Sequence, residues 1–502
     1  MTMEERIIEI LKNPTVTYRQ RVLNLAKAAE DVLPAAALSK EAEWFREQDV
    51  IFDMNEGNAP FRPRYIVPNY DLFMKQGSDF LSLPAPTDIR QAVDALLILY
   101  HHVPSSGGDP MYIGHIDRLL EPFIEDEQEA RDAIRALLTH VDRTIADSFC
   151  QANVGPYDTR AGRIILEVTA EMNTPVPNMS IIYDEEKTSD DFAIAAVRTN
   201  LICSKPAFAN DRIYCRDWGE QYAIASCYNA FPLGGGGLTL GRLNMKALGA
   251  LAQNPQQLLD ELLPRAIAAQ CEQMDRRIQF IIDDCTFFEH SFLVDEGLIE
   301  RDKFVGMFGM TGMAECVNSV LQLVEPSERY GSGEQATAYT EQILEIMDRE
   351  VRAYRPKYNR FYLHAQVGID TDFQCTPNVR VPVGEEPSLI EQIRFAARVQ
   401  KPFTTGVGEL FAFEETAVQN PEAVLDVIKA AFRQDMRYFA PYRDGTDVIR
   451  VTGYLIKRSD LEKMNRGEVV LNSGVGVGRG ALDSIGALNR KVYKADGLTS
   501  LD

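Results

Sequence analysis

No two of the eight cysteines form a C-x-x-C pair; they stand at positions 150, 203, 215, 227, 271, 285, 316 and 375. That spacing removes the sequence support for zinc ribbons, ferredoxin-type clusters and thioredoxin-type redox sites. Free thiols, most of them buried as small hydrophobes, are expected instead. Long apolar runs are missing too: the longest, near residues 95–100, is far too short to cross a bilayer. The start of the chain carries Glu4, Glu5 and Glu9 in place of the basic residues that open a signal peptide. Basic charge is scarce, 52 Lys+Arg against 74 Asp+Glu, for a net charge of −22. A surface so acidic repels nucleic acid and anionic membranes, so neither is an expected partner. The six histidines are scattered, and His101-His102 has no histidine at i+4 to make a zinc-binding helix. The expected location is the cytoplasm.

What remains is ordinary globular composition, 45% apolar and 25% charged over 502 residues. By length this is about three domains or one large barrel. Apolar spacing of i, i+3, i+4 predicts helices over 7–11, 22–33, 89–102 and 125–148. A proline-stiffened loop is predicted over 55–69. Short runs rich in Ile, Val and Tyr predict strands over 163–169, 178–183, 222–227 and 360–367. Further helices are predicted over 189–203, 243–253, 256–292, 334–354 and 421–437, with Pro264 starting or kinking the third of these. Strands alternating with long helices indicate an α/β fold.

The most informative segment is 447–456, a strand-like run with a lone glycine, Gly453, inside it. A glycine there usually marks a bulge, a corner or a close backbone approach. Yet Arg450-Val451-Thr452-Gly453-Tyr454 resembles the R-V-x-G-Y signature of the glycyl radical enzymes, the superfamily of pyruvate formate-lyase and the anaerobic diol and choline lyases. A radical at Cα is stabilised when that atom flattens between an amide nitrogen and a carbonyl, and glycine alone adopts this without a crowding Cβ.

Other segments carry the same resemblance in the same order. Gln221-Tyr222-Ala223-Ile224-Ala225-Ser226-Cys227-Tyr228-Asn229 is similar to the cysteine-bearing D-Y-A-I-A-C-C-V-S of the formate-lyases. Pro175-Val176-Pro177-Asn178 resembles their P-x-P-N strand, and Gly241-Arg242-Leu243-Asn244 their G-A-R-x-N with one residue missing. The Gly-rich segment 306–314 and Thr376-Pro377-Asn378 have counterparts at corresponding places. The similarity spans roughly residues 160–466. Segments 59–65 and 101–115 are most similar to the YjjI-type glycine radical enzymes.

The resemblance implies a ten-stranded α/β barrel surrounded by helices, with a mainly helical N-terminal region over 1–155. The barrel core with the thiyl loop would occupy 156–440, and the radical-loop region 441–502. It implies that Gly453 stores the radical and that Cys227 becomes the thiyl that attacks substrate. Arg242 is the implied anchor for an anionic substrate, since a guanidinium grips a carboxylate or phosphate through two hydrogen bonds. A surface or ion-paired helical arginine is the competing reading. Ser226, Tyr228 and Asn229 are the remaining substrate-binding candidates, with Arg163, Glu315, His115 and His364 as weaker ones. No cofactor is expected on this chain. The implied partners are a small-molecule substrate, a second copy in a homodimer, and a radical S-adenosylmethionine activating enzyme that holds the iron–sulfur cluster.

Departures from the family narrow the chemistry. Ser226 stands where the formate-lyases have their acyl-accepting cysteine, which disfavours acyl transfer through two thiols. Asn229 stands where the dehydratases and choline-type lyases have the glutamate of C-x-E, and an amide cannot serve as a base. No cysteine follows Cys375, which disfavours the zinc-dependent nucleotide reductases. Cys316 reads as a core thiol, and Gly234 to Gly237 as a flexible loop, because the phosphate-loop spacings do not fit. The segment 474–480 imitates a dinucleotide loop but has no room for a βαβ unit behind it. Two alternatives stay open: a catalytically silent barrel acting as a binding or radical-repair protein, and a zinc-free anaerobic nucleotide reductase.

Overall fold

Thr2, Thr17 and Ser39 each accept a backbone N–H from the turn that follows, and the helices Met3–Lys12, Tyr18–Glu30 and Lys40–Glu47 begin there. Thr2 and Thr17 complete capping boxes with Glu5 and Gln20, so the helical N-terminal region is set by local chemistry. The structure is a computed structural model, and it describes residues 2–53, 57–105, 108–145, 149–322, 328–365, 375–443, 445–451, 453–472 and 474–475. The upper part of the expected loop 474–480 and everything after it lie outside these residues, as do 366–367 of the expected strand 360–367.

In chain order the strands are β1 (Ile51–Asp53), β2 (Tyr65–Val67), β3 (Tyr112–His115), β4 (Gln151–Val154), β5 (Asn178–Tyr183), β6 (Ala207–Asn210), β7 (Tyr222–Ala225), β8 (Asn229–Pro232), β9 (Gly235–Asn244), β10 (Phe304–Thr311), β11 (Phe361–Ala365), β12 (Glu409–Phe413), β13 (Tyr438–Arg443), β14 (Val448–Val451) and β15 (Tyr454–Lys457). One sheet runs β12-β13-β6-β5-β4-β3, with β3 to β6 parallel and β13 antiparallel to β6. The other holds β9, β10 and β11 in parallel, with β1 and β2 antiparallel on the free side of β9. The hairpin β7–β8 lies between the sheets, touching β3 and β4 on one side and β2, β9 and β10 on the other. This is the expected α/β fold. Among the described residues the ladders form sheets of six and five strands and two two-stranded hairpins, which does not reproduce the count of ten that the resemblance implies. No helix among them is long and apolar enough to cross a membrane.

Four expectations need correction. Residues 163–169 lie in the helix Arg160–Met172, not a strand. Ile164, Ile165, Val168 and Thr169 share one buried helical face, Thr159 caps the start, and the small helix penalty of β-branched residues is overridden by that burial. Residues 235–237 are no flexible loop but the first part of the fully buried β9. Residues 447–456 are two strands, β14 and β15, joined at Gly453. The predicted long helix over 256–292 divides into the helix Leu263–Gln279 and shorter turns, with single π-turns Leu258–Leu262 and Phe280–Asp284 on either side. Pro264 stands at the start of that helix, as expected, directly after the π-turn Leu258–Leu262.

The glycines of β9 are there because neighbours come close. A Cβ on Gly236 would lie 2.0 Å from the carbonyl oxygen of Tyr65 on β2, and its φ of +150° is itself unfavourable for other residues. A Cβ on Gly241 would meet Gln270 at 2.1 Å on the helix packed over the sheet. Gly219, with φ +77° but nothing within 4 Å, is conformationally special without being crowded. Gly236→Ala is therefore expected to cost about 3 kcal/mol or more, and Gly219→Ala roughly 1 kcal/mol, in urea denaturation. Equal costs would refute the close-approach argument.

Candidate active site

The inner face of the parallel sheet is polar at four adjoining positions. Gln151 and Asn153 alternate on β4, Asn178 and Ser180 on β5, and the register pairs Gln151 with Asn178 and Asn153 with Ser180. All four are fully buried. Buried amides need partners, and these find them in the two hairpins. Asn153 donates to the Ile224 carbonyl and accepts from the Ile224 N–H, both at 2.9 Å, so its side chain acts as one more rung for β7. Gln151 accepts the N–H of Cys227 at 3.2 Å. Asn178 donates to the carbonyl of Gly453 at 3.2 Å.

Cys227 sits at the tip of β7–β8, where register Ala225↔Asn229 leaves Ser226, Cys227 and Tyr228 as the loop. Ser226 and Cys227 both have positive φ, +41° and +76°, a left-handed conformation that costs roughly 1–2 kcal/mol per residue outside glycine. A closed circuit of hydrogen bonds holds it. The Cys227 N–H bonds Gln151, whose Nε2 donates to Ser180 Oγ at 2.8 Å. Ser180 lies 2.9 Å from the hydroxyl of Tyr438 on β13, which donates to the Cys227 carbonyl at 2.8 Å. Since the Tyr438 hydrogen goes to Cys227, Ser180 is the donor to Tyr438, and all four bonds run in one direction. Burial pushes the Tyr438 phenol up to about 12, so this hydrogen stays in place at neutral pH.

Gly453 lies at the tip of β14–β15, buried, where register Val451↔Tyr454 leaves two positions for the turn. Besides Asn178, Arg450 reaches its carbonyl, at 3.4 Å. Tyr454 packs on Phe149 with ring centroids 5.5 Å apart. Cys227, Tyr228, Tyr438, Val451 and Tyr454 belong to one apolar cluster, separate from the main core. The two predicted reaction centres are thus brought together: their backbones are anchored by Gln151 and Asn178, register partners on strands about 4.8 Å apart.

Of the substrate candidates, Ser226, Tyr228 and Asn229 surround Cys227. Ser226 Oγ and Asn229 Oδ1 are buried with no hydrogen-bond partner among the described residues. Asn229 Nδ2 is used on the carbonyls of Ala225 and Ser226, and the Tyr228 hydroxyl on that of Ala365. Arg242 is neither on a helix nor on the surface: it is 1% exposed on β9, with its guanidinium 4.9 Å from the Phe52 ring. Register places Gly309 beside it on β10 and His364 beyond on β11, so Arg242 and His364 share one face across a position that carries no side chain. The His364 ring is 6.0 Å from that of Tyr228, which ties this face to the Cys227 loop.

The weaker candidates separate. Arg163 is exposed and paired with Asp158, so it takes no part in the buried cluster around Cys227. Glu315 accepts the N–H and hydroxyl of Thr376 through one oxygen, at 2.7 and 2.6 Å. His115 lies under β7, its Nε2 donating to the Tyr222 carbonyl at 3.2 Å. Cys316 is the expected core thiol, buried against Gly249, and burial pushes it up to about 12. Gln151, Asn153, Ser180, Tyr438 and the buried Arg380, which donates to the Gly408 carbonyl, were not picked out by sequence reasoning. For Gln151, Asn153 and Ser180 the signal was available: two polar residues at i, i+2 in strands that are otherwise apolar.

A family described as Glycyl radical enzyme YjjI-like matches residues 16–493. An uncharacterized protein of Haemophilus influenzae is 42% identical over 497 residues, covering 97% of both chains. The Escherichia coli protein YjjI is 38% identical over 469 residues, covering 92% of this chain and 90% of its own. Among solved structures, the anaerobic ribonucleotide reductase of Thermotoga maritima in complex with dATP and CTP superposes with a TM-score of 0.70 at 12% identity, covering 91% of this chain and 92% of that one. Hydroxyproline dehydratase of Clostridioides difficile with trans-4-hydroxy-L-proline bound gives 0.69 at 14%, covering 98% and 89%. At those identities the likeness is one of fold.

Tyr438→Phe opens the hydrogen-bonded circuit and leaves the Cys227 carbonyl without that donor. It is expected to cost about 1–2 kcal/mol in chemical denaturation and to speed amide exchange at Cys227, while distant amides are unchanged. Two buried titrating groups, His115 and Asp117, also make stability depend on pH. Burial holds His115 neutral, with its pKa down from 6.5 to about 4, so its contribution to stability is full above pH 6.5 and lost as pH falls toward 4. Burial raises Asp117 from 3.8 to about 7, so its contribution is full below pH 3.8 and lost as pH rises through 7. The two oppose each other over the same range. His115→Gln should therefore make stability fall as pH rises from 4 to 7, and Asp117→Asn should make it rise, both read by thermal melting across pH.

Proposed function

Because the chain belongs to the YjjI-like family of glycyl radical enzymes, we propose that Gly453 stores a radical and Cys227 carries it to a small substrate. A hydrogen atom is removed from Gly453 Cα by a separate radical S-adenosylmethionine activase, which holds the iron–sulfur cluster. When substrate binds, Gly453 takes a hydrogen atom from the Cys227 thiol, and the thiyl takes one from a substrate C–H bond, later to be returned. The single observation that carries this reading is the anchoring of Cys227 and Gly453 by paired residues Gln151 and Asn178 on neighbouring strands.

The substrate proposed is a small anion. Arg242 offers a buried guanidinium for its charged group, while Ser226 Oγ and Asn229 Oδ1 offer a hydroxyl and an acceptor beside Cys227. Ser226 in place of a second cysteine argues against acyl transfer, and Asn229 cannot act as a base. A water-poor interior protects the radicals from side reactions. A homodimer is the proposed assembly and the cytoplasm the proposed location.

Electron paramagnetic resonance under anaerobic conditions, after treatment with activase, reductant and S-adenosylmethionine, tests this. An organic radical doublet is expected in the wild type, absent in Gly453→Ala and retained in Cys227→Ser. Silence with an activase proven competent on this family would reject the proposal. Retention of the doublet in Gly453→Ala would move the radical elsewhere.

A further inference from the structure

Arg450 is a buried cation, 5% exposed, whose hydrogen bonds all go to neutral oxygens. Nε and Nη2 donate to the Ser204 carbonyl at 3.2 and 2.9 Å, Nη2 to Asn178 Oδ1 at 3.1 Å, and Nη1 to the Gly453 carbonyl at 3.4 Å. No carboxylate pairs with it among the described residues, and burial holds its pKa below the usual arginine value. Burying an uncompensated charge is costly, and bracing a hairpin does not require one. Asn178 is oriented just as firmly. Its Oδ1 receives Arg450 and the Met179 N–H at 2.9 Å, which leaves Nδ2 no direction but the Gly453 carbonyl. Two donors, one of them charged, therefore converge on a single oxygen.

We propose that Arg450 and Asn178 tune the energy of the Gly453 radical through hydrogen bonds to its carbonyl oxygen. The inference rests on the reading of Gly453 as the radical site. A radical at Cα spreads into the neighbouring nitrogen and carbonyl, and one contributing form places negative charge on that oxygen. Donors aimed at the oxygen favour this form, the charged donor most. The exchange at stake moves one hydrogen atom: the S–H bond of Cys227 breaks, the Cα–H bond of Gly453 forms, and no oxidant or reductant takes part. Stabilising Gly453 in its radical form holds the spin on the glycine until substrate arrives and keeps the thiyl scarce.

The test uses the full chain treated with activase, comparing wild type with Asn178→Asp, Asn178→Leu and Arg450→Lys. Asn178→Asp keeps the shape and replaces the donor by an acceptor, Asn178→Leu removes both, and Arg450→Lys keeps the charge but loses the fork. Loss of the Asn178 donor should withdraw spin onto Cα and widen the α-hydrogen splitting of the doublet. It should also shorten survival of the radical after activase removal by about fivefold, the ratio that one net hydrogen bond commands. Glycine labelled with carbon-13 at the carbonyl should show a changed coupling in the same variants. Thermal melting identifies any variant that fails to fold, and the remaining variants then carry the comparison. Unchanged splitting and carbonyl coupling in the folded variants would overturn the proposal even if survival fell, because bracing alone shortens survival without moving spin. A silent wild type would instead reject the assignment of Gly453 itself.

Discussion

Side-chain amides that stand in for backbone hold this site together. Asn153 pairs with Ile224 as a strand would, Gln151 takes the N–H of Cys227, and Asn178 gives to the carbonyl of Gly453. A parallel sheet usually presents apolar faces to its surroundings, so four polar positions side by side on β4 and β5 are a concentrated burial cost. The cost is offset only if every member is satisfied, and the partners are the tips of two hairpins that would otherwise have no fixed place between the sheets. The left-handed turn at Ser226 and Cys227 depends on the same circuit. Removing one member exposes the others to unpaired burial, so their energies are coupled and do not add.

The second sheet contributes by what it leaves out. Glycines in β9 let β2 and the covering helix approach the strand closely, and Gly309 on β10 leaves no side chain between Arg242 and His364. The polar groups with ligand-binding capacity in the proposed reaction thus come from both sides: Ser226 and Asn229 from the hairpin, Arg242 from β9. The hairpin supplies hydrogen bonds without a carboxylate, and the sheet supplies the charge.

Much of this was legible in the sequence, unevenly. Gly453 and Cys227 could be read because each lies in a run whose order and flanking residues match a family pattern, and the structure brings their loops together. The strand containing Asn178 was found for its apolar run, while the asparagine that does the anchoring passed as a marker of similarity. The helix Arg160–Met172 was mistaken for a strand because its β-branched residues speak louder in composition than their i, i+1, i+4, i+5 spacing does. The glycines of 234–237 read as freedom because nothing in a sequence tells a mobile glycine from crowded ones such as Gly235, Gly236 and Gly237. Arg242 could be named as an anchor but not placed, since its burial depends on β1, β9 and β10 meeting from three distant parts of the chain.

The choice of amides has a further consequence for the proposed radical chemistry. Amide N–H bonds are strong and carbonyls hold no hydrogen, so the amide groups of Gln151 and Asn178 hold both proposed radical positions without offering either an N–H or O–H hydrogen it could steal. The one group in the circuit with an O–H bond of comparable strength to a thiol is the phenol of Tyr438, and its hydrogen is committed to the Cys227 carbonyl, turned toward backbone. The two side chains that anchor the proposed radical positions therefore contribute no O–H or S–H bond of their own.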